Sequence, residues 1–181
     1  NSKPFSLDFE TLDKEKKSNN LLHKCFSKFD TSSKVFDLTA GFCKDANSIA
    51  NMGFQVTAYE KESWLFEFNK TCLSSLKKRN LNLINLNSIR ALKKVTKKDI
   101  LFLDPMFEIN SRASAKKEIQ FLRKCISTSS EKEILDAAQK SSAGVIILKR
   151  HKLSNSQNPT KPSYVIKGKV ISFEVFDRRA V

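Results

Sequence analysis

In this 181-residue chain the stretch best equipped for chemistry is Leu101-Phe102-Leu103-Asp104-Pro105-Met106-Phe107. Three apolar residues read as a buried strand, and an acid, a proline and an aromatic follow at once. Pro105 fixes φ and removes a backbone donor, so the chain must leave the sheet there. Asp104 and Phe107 then stand at the strand's carboxyl end, the edge at which open α/β sheets take their ligands. A carboxylate accepts hydrogens from an exocyclic amine, the neighbouring carbonyl of Pro105 does the same, and an aromatic stacks on a flat ring. Asp-Pro is also a common turn dipeptide, so this stretch by itself leaves an ordinary turn open.

Further polar residues stand at the ends of the other expected strands. They are Asp37 to Asp45 around Gly41, then Glu60, then Asn87 with Ser88. Glu60 follows Gly41 by about 20 residues, the interval at which a second-strand acid takes ribose hydroxyls. The glycine turn lacks the full GxGxxG pattern, and alone it leaves a nicotinamide or a purely structural reading open. Asp45 and Ser88 also suit helix caps, Glu60 suits a solvated strand end, and Lys44 and Lys61 suit ordinary surface charges. Taken with the Asp-Pro-x-Phe turn, the set points to S-adenosyl-L-methionine and methylation of an amino group on a base.

These residues need a scaffold that alternates strands and helices, and the hydrophobic pattern supplies one. Strands are expected at Val35–Thr39, Gln55–Tyr59 (closed by Glu60), Leu81–Leu86, Asp99–Leu103 and the continuous apolar run Val145–Leu148. Helices are expected at Asp45–Met52 (stopped by Gly53), along Trp64–Leu76, briefly from Ser88 to Leu92, and at Ser114–Ile126 and Glu131–Lys140. Leu65, Phe68, Cys72 and Leu76 form one helical stripe, read as core packing. Tyr164–Ile171 reads as a terminal hairpin, and His151–Lys161 as a polar loop. Strand–helix alternation implies a mainly parallel sheet covered on both faces, an α/β class I methyltransferase-like (Rossmann-like) fold with a C-terminal antiparallel hairpin. Residues 1–33 read as a short appendage with a strand at Phe5–Phe9 and a helical face of Leu22, Phe26 and Phe29. The main domain is expected over 34–181.

Lys and Arg total 33 against 19 Asp and Glu, a formal net charge of +14. Such an excess favours a polyanionic partner, with nucleic acid first, although lysine-rich composition explains part of it. Cys25, Cys43, Cys72 and Cys125 form no CxxC pair and His23 and His151 complete no ligand cluster, so no metal site is expected. Without a signal peptide or long apolar run, the thiols are expected to be reduced, in a cytoplasmic protein.

The signature Asp37-Leu38-Thr39-Ala40-Gly41-Phe42-Cys43-Lys44-Asp45-Ala46 resembles the Asp-Ala-Thr-Ala-Gly-Leu-Gly-Arg-Asp-Ala of the bacterial small-subunit (16S) ribosomal RNA guanine-N2 methyltransferases of the J type. Leu103-Asp104-Pro105-Met106-Phe107 is similar to their Leu-Asp-Pro-Met-Phe, Lys116-Lys117-Glu118 to their Lys-Lys-Glu, and Leu148-Lys149-Arg150 to their Val-Lys-Arg. The similarity runs from about Phe5 to Phe176. It departs at Cys43, where the family has glycine, and at Lys44, where it has arginine. Lys16-Lys17-Ser18-Asn19-Asn20 replaces a glycine-rich segment, and the family's amino-terminal extension is largely missing.

The resemblance implies cofactor contacts at Asp37, Gly41, Lys44, Asp45, Glu60, Lys61, Asn87, Ser88 and Asp104. Glu60 would hold the ribose, Asn87 and Ser88 would lie near the adenine, and Asp104 near the methyl. Asp104 and Pro105 would accept the hydrogens of a guanine N2 in small-subunit ribosomal RNA, and Phe107 would stack on that base. Lys116, Lys117, Lys149 and Arg150 are candidates for phosphate contacts. The Asp-Pro-x-Phe chemistry serves adenine N6 in RNA or DNA equally well. Cys43 keeps a third expectation open, an RNA-binding or ribosome-assembly module without cofactor.

Overall fold

The computed structural model describes residues 9, 21–74, 76, 80–105, 131–152 and 160–179. Its elements, in chain order, are α1 (Leu21–Phe26), β1 (Lys34–Asp37), α2 (Lys44–Asn51), β2 (Gln55–Glu60), α3 (Ser63–Ser74), β3 (Leu81–Asn85), a 3-10 helix (Ser88–Lys94), β4 (Ile100–Leu103), α4 (Glu131–Lys140), β5 (Val145–His151), β6 (Tyr164–Lys167) and β7 (Ile171–Asp177).

One sheet runs in the order β3-β2-β1-β4-β5-β7-β6. Its first five strands are parallel, and β7 enters antiparallel to β5 and to β6. The order reverses between β1 and β4, which opens the crevice in which such sheets hold ligands. Register carries the site residues to that edge: Asp37 pairs with Ala58 and Phe102, and Leu103 pairs with Leu148.

Alternation along the strands divides the core between two faces. Val35, Val56, Ala58, Ile100, Phe102, Val145 and Ile147 pack with α1 and α2 on one face. Leu38, Tyr59, Leu101, Leu103, Ile146 and Leu148 pack with the 3-10 helix and α4 on the other. All four residues of β4 are buried, as expected of a strand covered twice. Phe102 stands among Phe26 and Phe173, with ring centroids 5.9 and 6.3 Å away. Phe9, Leu22, Cys25, Phe26 and Phe29 belong to the same core as the sheet. At the far end, Arg178 donates to the carbonyls of Gln139, Ser141 and Ala143, closing the carboxyl end of α4 against β7.

The sheet, its parallel order and the final hairpin match the expected architecture. Several local expectations change. β1 stops at Asp37, where the Thr39 amide turns back onto the Asp37 carboxylate. Asn87, not Ser88, caps the helical turn after β3: its side chain accepts from the Ile89 amide at 3.1 Å. β7 is longer than the expected hairpin arm, because it pairs with the whole of β5. Phe9 is helical rather than extended. The rest of the Phe5–Phe9 stretch and the expected helix Ser114–Ile126 lie outside the described residues.

Candidate active site

Asp104 leaves β4 with its backbone amide held by the side chain of Thr39, whose Oγ1 accepts at 2.7 Å. Thr39 in turn donates its own amide to Asp37 Oδ1 at 3.0 Å. Two neighbouring strand ends are therefore tied through one hydroxyl, and the acid of the Asp-Pro turn has a fixed root. Pro105 is buried immediately behind it. Asp37 itself is 1% exposed. Burial pushes its carboxyl up to about 8, the Thr39 amide opposes this, and the Asp45 and Asp104 charges reinforce it.

The glycine turn folds over the end of β2. Gly41 has φ +49° and Cys43 φ 56°, both left-handed. The second value explains why glycine suits position 43, where a side chain costs about 1–2 kcal/mol. The Cys43 thiol nevertheless sits fully buried in the core beside Ala40 and Ala46. Its side chain is directed into the protein and away from solvent. Asn69 of α3 pins the turn, donating to the Gly41 carbonyl at 2.6 Å. Its Oδ1 is buried beside the turn with no hydrogen-bond partner among the described residues.

Glu60 ends β2 at 6% exposure. The Glu62 amide donates to its Oε1 at 2.8 Å, and the Gly41 and Lys61 amides also serve the carboxylate. Burial raises its pKa while those amides pull it down. An ionised carboxylate has about four acceptor positions, so with three amides on it about one remains for a ribose hydroxyl. Asn85 fixes the same corner, donating to the Glu60 carbonyl at 2.8 Å and accepting from Ser63 at 3.0 Å.

On the other side of the crevice lies an ion cluster. Lys149 Nζ stands 2.6 Å from Asp45 Oδ2 and 2.6 Å from Asp104 Oδ2. Its ammonium joins the first turn of α2 to the end of β4. Burial and the Asp45 charge raise the Asp104 pKa to about 6, with Lys149 opposing, and the two carboxylates outweigh burial to raise that of Lys149.

The structure thus gathers Asp37, Gly41, Asp45, Glu60, Asp104 and Pro105 along one edge. Lys44 reaches over the Phe42 ring, 5.8 Å from its centroid, and Lys61 stands 3.9 Å from Glu62. Ser88 is buried and Asn87 is occupied as a cap. Both basic residues expected to contact phosphate at the end of β5 stand in ion pairs. Lys149 turns inward to the two aspartates. Arg150 lies on the opposite sheet face, 6% exposed, with Nε 3.0 Å from Glu174 Oε1. Consecutive strand residues point to opposite faces, so the two side chains part. Phe107, Lys116 and Lys117 lie outside the described residues. Sequence reasoning missed Thr39 and Asn69 as positioning groups. Asn69, four residues after Leu65, is a polar member of the otherwise apolar face of α3, and that interruption is the available signal.

Among the described residues no helix is long and apolar enough to cross a membrane, and no three metal-ligating side chains converge. The family described as "Putative SAM-dependent methyltransferase" matches residues 8–178. The chain is 30% identical over 175 residues to ribosomal RNA small subunit methyltransferase J of Buchnera aphidicola, covering 89% of this chain and 70% of that protein. Against the protein of that name from Coxiella burnetii it is 28% identical over 151 residues, covering 78% of this chain and 59% of the relative. In structure it is similar to a SAM-dependent methyltransferase of Neisseria gonorrhoeae, with TM-score 0.73 at 21% identity over 100% of this chain and 77% of that one. It also shares its fold with a T. thermophilus 16S rRNA N2 guanosine methyltransferase solved with AdoMet and guanosine, TM-score 0.59 at 16% identity, covering 97% of this chain and 44% of that one.

Proposed function

Since the chain belongs to the ribosomal RNA small subunit methyltransferase J family of SAM-dependent methyltransferases, we propose that it transfers a methyl group from S-adenosyl-L-methionine to the exocyclic N2 of a guanine in small-subunit ribosomal RNA. The observation that carries this reading is the tie from Thr39 Oγ1 to the Asp104 amide at 2.7 Å, which roots the backbone of the acceptor acid beside the glycine turn.

The residues at the β1–β2 end fit the cofactor. Glu60 keeps an acceptor position for a ribose hydroxyl. Gly41 and Lys44 line its turn, Asn87 and Ser88 face the adenine side, Asp45 sets the local charge, and Asp37 holds the Thr39 amide behind the turn. When bound, S-adenosyl-L-methionine supplies an electrophilic methyl on a positively charged sulfur. The guanine amine is a weak nucleophile, because its lone pair is delocalised into the ring. Asp104 and the Pro105 carbonyl accept its two hydrogens and turn the lone pair toward the methyl. As nitrogen gains carbon, Asp104 is placed to take the released proton. Phe107 stacks on the extruded base, so catalysis is mostly positioning. Lys116 and Lys117 carry phosphate contacts, within an overall positive field that makes binding salt-dependent. The catalytic unit spans 34–181, with residues 1–33 as an amino-terminal addition whose Phe9, Leu22, Phe26 and Phe29 complete its core.

The test is transfer from labelled S-adenosyl-L-methionine to small-subunit particles lacking their guanine methylation, followed by nucleoside analysis. Label in N2-methylguanosine is the expected result. Label in methyladenosine would move the target to adenine N6, and RNA binding without label would leave an assembly module.

A further inference from the structure

The cluster between β4, β5 and α2 is built in a way that the transfer chemistry alone does not require. A phosphate-binding lysine would extend into solvent. Lys149 instead keeps only 20% of its side-chain surface exposed and places one ammonium 2.6 Å from each of two carboxylates. Its root is fixed, since Lys149 pairs with Phe173 in the antiparallel half of the sheet. Asp104 is fixed at its amide by Thr39, so side-chain rotation is its remaining freedom. The contact of Lys149 with Oδ2 removes that freedom, while 37% of the Asp104 side chain stays open for a ligand.

We infer that Lys149 is a positioning residue that holds Asp104 ionised and aimed at the base amine, with Asp45 as a competing partner that sets how strongly. This rests on the amine-methylation reading above. The physical reason is charge count. Two close carboxylates without a cation share a proton, because like charges at that distance disfavour double ionisation. One ammonium between them lets both stay charged. A protonated Asp104 has lost acceptor capacity at the oxygen carrying the proton, and it no longer draws the hydrogen of the amine. Among the described residues, the titratable and charged groups facing Asp104 come from three elements: Lys149 of β5, Asp45 of α2 and, more remotely, Asp37 of β1.

The two side chains therefore move the acid limb of activity in opposite directions. For wild type, methyl transfer is lost as pH falls through about 6, as Asp104 takes a proton. Lys149→Met removes the shared cation and shifts the limb upward by roughly one pH unit or more. Asp45→Asn gives the ammonium to Asp104 alone and shifts the limb downward, whatever it does to the absolute rate. Lys149→Arg keeps the charge and stays within about half a unit of wild type. The experiment is the pH dependence of single-turnover N2 methylation at saturating cofactor for these four proteins. Opposed shifts establish the role. A rate loss equal at every pH, or limbs that stay together, overturns it and leaves Lys149 as a structural tether. Should Lys149→Met fail to fold, the direction of the Asp45→Asn limb still decides. If wild type makes no N2-methylguanosine, the underlying reading fails instead, and the two failures are distinct.

Discussion

The two sides of the crevice are built from different interactions. On the β1–β2 side, Glu60, Gly41 and Asn69 are organised by backbone amides, carbonyls and a side-chain amide. On the β4–β5 side, Asp45, Asp104 and Lys149 are organised by direct ion pairs. The amide donors of the first side do not titrate, so that only the Glu60 carboxylate there responds to pH, whereas in the ion cluster every member changes the others' strength with each proton it gains or loses. The contrast teaches that recognition of an invariant cofactor suits the first side, and a step that must release a proton suits the second.

The largest expected effect comes from breaking the second side. Asp104→Ala should lower the rate of N2 methylation by roughly 10²–10³-fold while cofactor affinity, measured by calorimetry, changes far less. A variant with near-normal rate would remove Asp104 from the mechanism. The converse change on the first side is Glu60→Ala. Loss of charged hydrogen bonds worth about 1.5–3 kcal/mol should weaken cofactor binding by roughly 10–150-fold, with single-turnover rate at saturation better preserved. Equal loss in both quantities would mean that the two sides are not separable.

Asp37 sits at the seam, and its effect is on stability. Its folded pKa of about 8 lies above the unfolded value near 3.8, so the native state keeps a proton that the unfolded chain releases. Its contribution is fully present below the unfolded value and declines as pH rises toward 8. Asp37→Asn retains an oxygen for the Thr39 amide and should raise Tm at pH 8, with the gain vanishing near pH 4. A gain independent of pH would contradict the burial account. Smallest is Cys43→Gly. It relieves the left-handed strain and loses a buried thiol, two opposing changes of about 1 kcal/mol. Cofactor affinity should move by roughly twofold or less, because the thiol faces the core. A large gain in affinity would show that Cys43 does crowd the cofactor.

Much of this was legible in one dimension. Continuous apolar runs such as Ile100–Leu103 and Val145–Leu148 state that a strand is covered on both faces, and Pro105 states where the chain must turn away. The spacing from Gly41 to Glu60 carried the order of acid and turn, because a strand–helix–strand unit has a nearly fixed length. Those features depend on local periodicity and steric rules, which a sequence contains in full. Direction of side chains across elements does not follow from such rules. Lys149 and Arg150 are adjacent cations in sequence, yet the pleat sends one to the aspartates and the other to Glu174 on the far face. Thr39 and Asp104 are 65 residues apart, and only the parallel pairing of β1 with β4 brings hydroxyl to amide. Lys149 and Asp45 are separated by 104 residues and meet because the crossover places α2 over the sheet face on which Lys149 emerges. Local chemistry fixed which groups were available, and long-range packing decided which charges face one another, since Coulomb energy depends on distance in space and not along the chain.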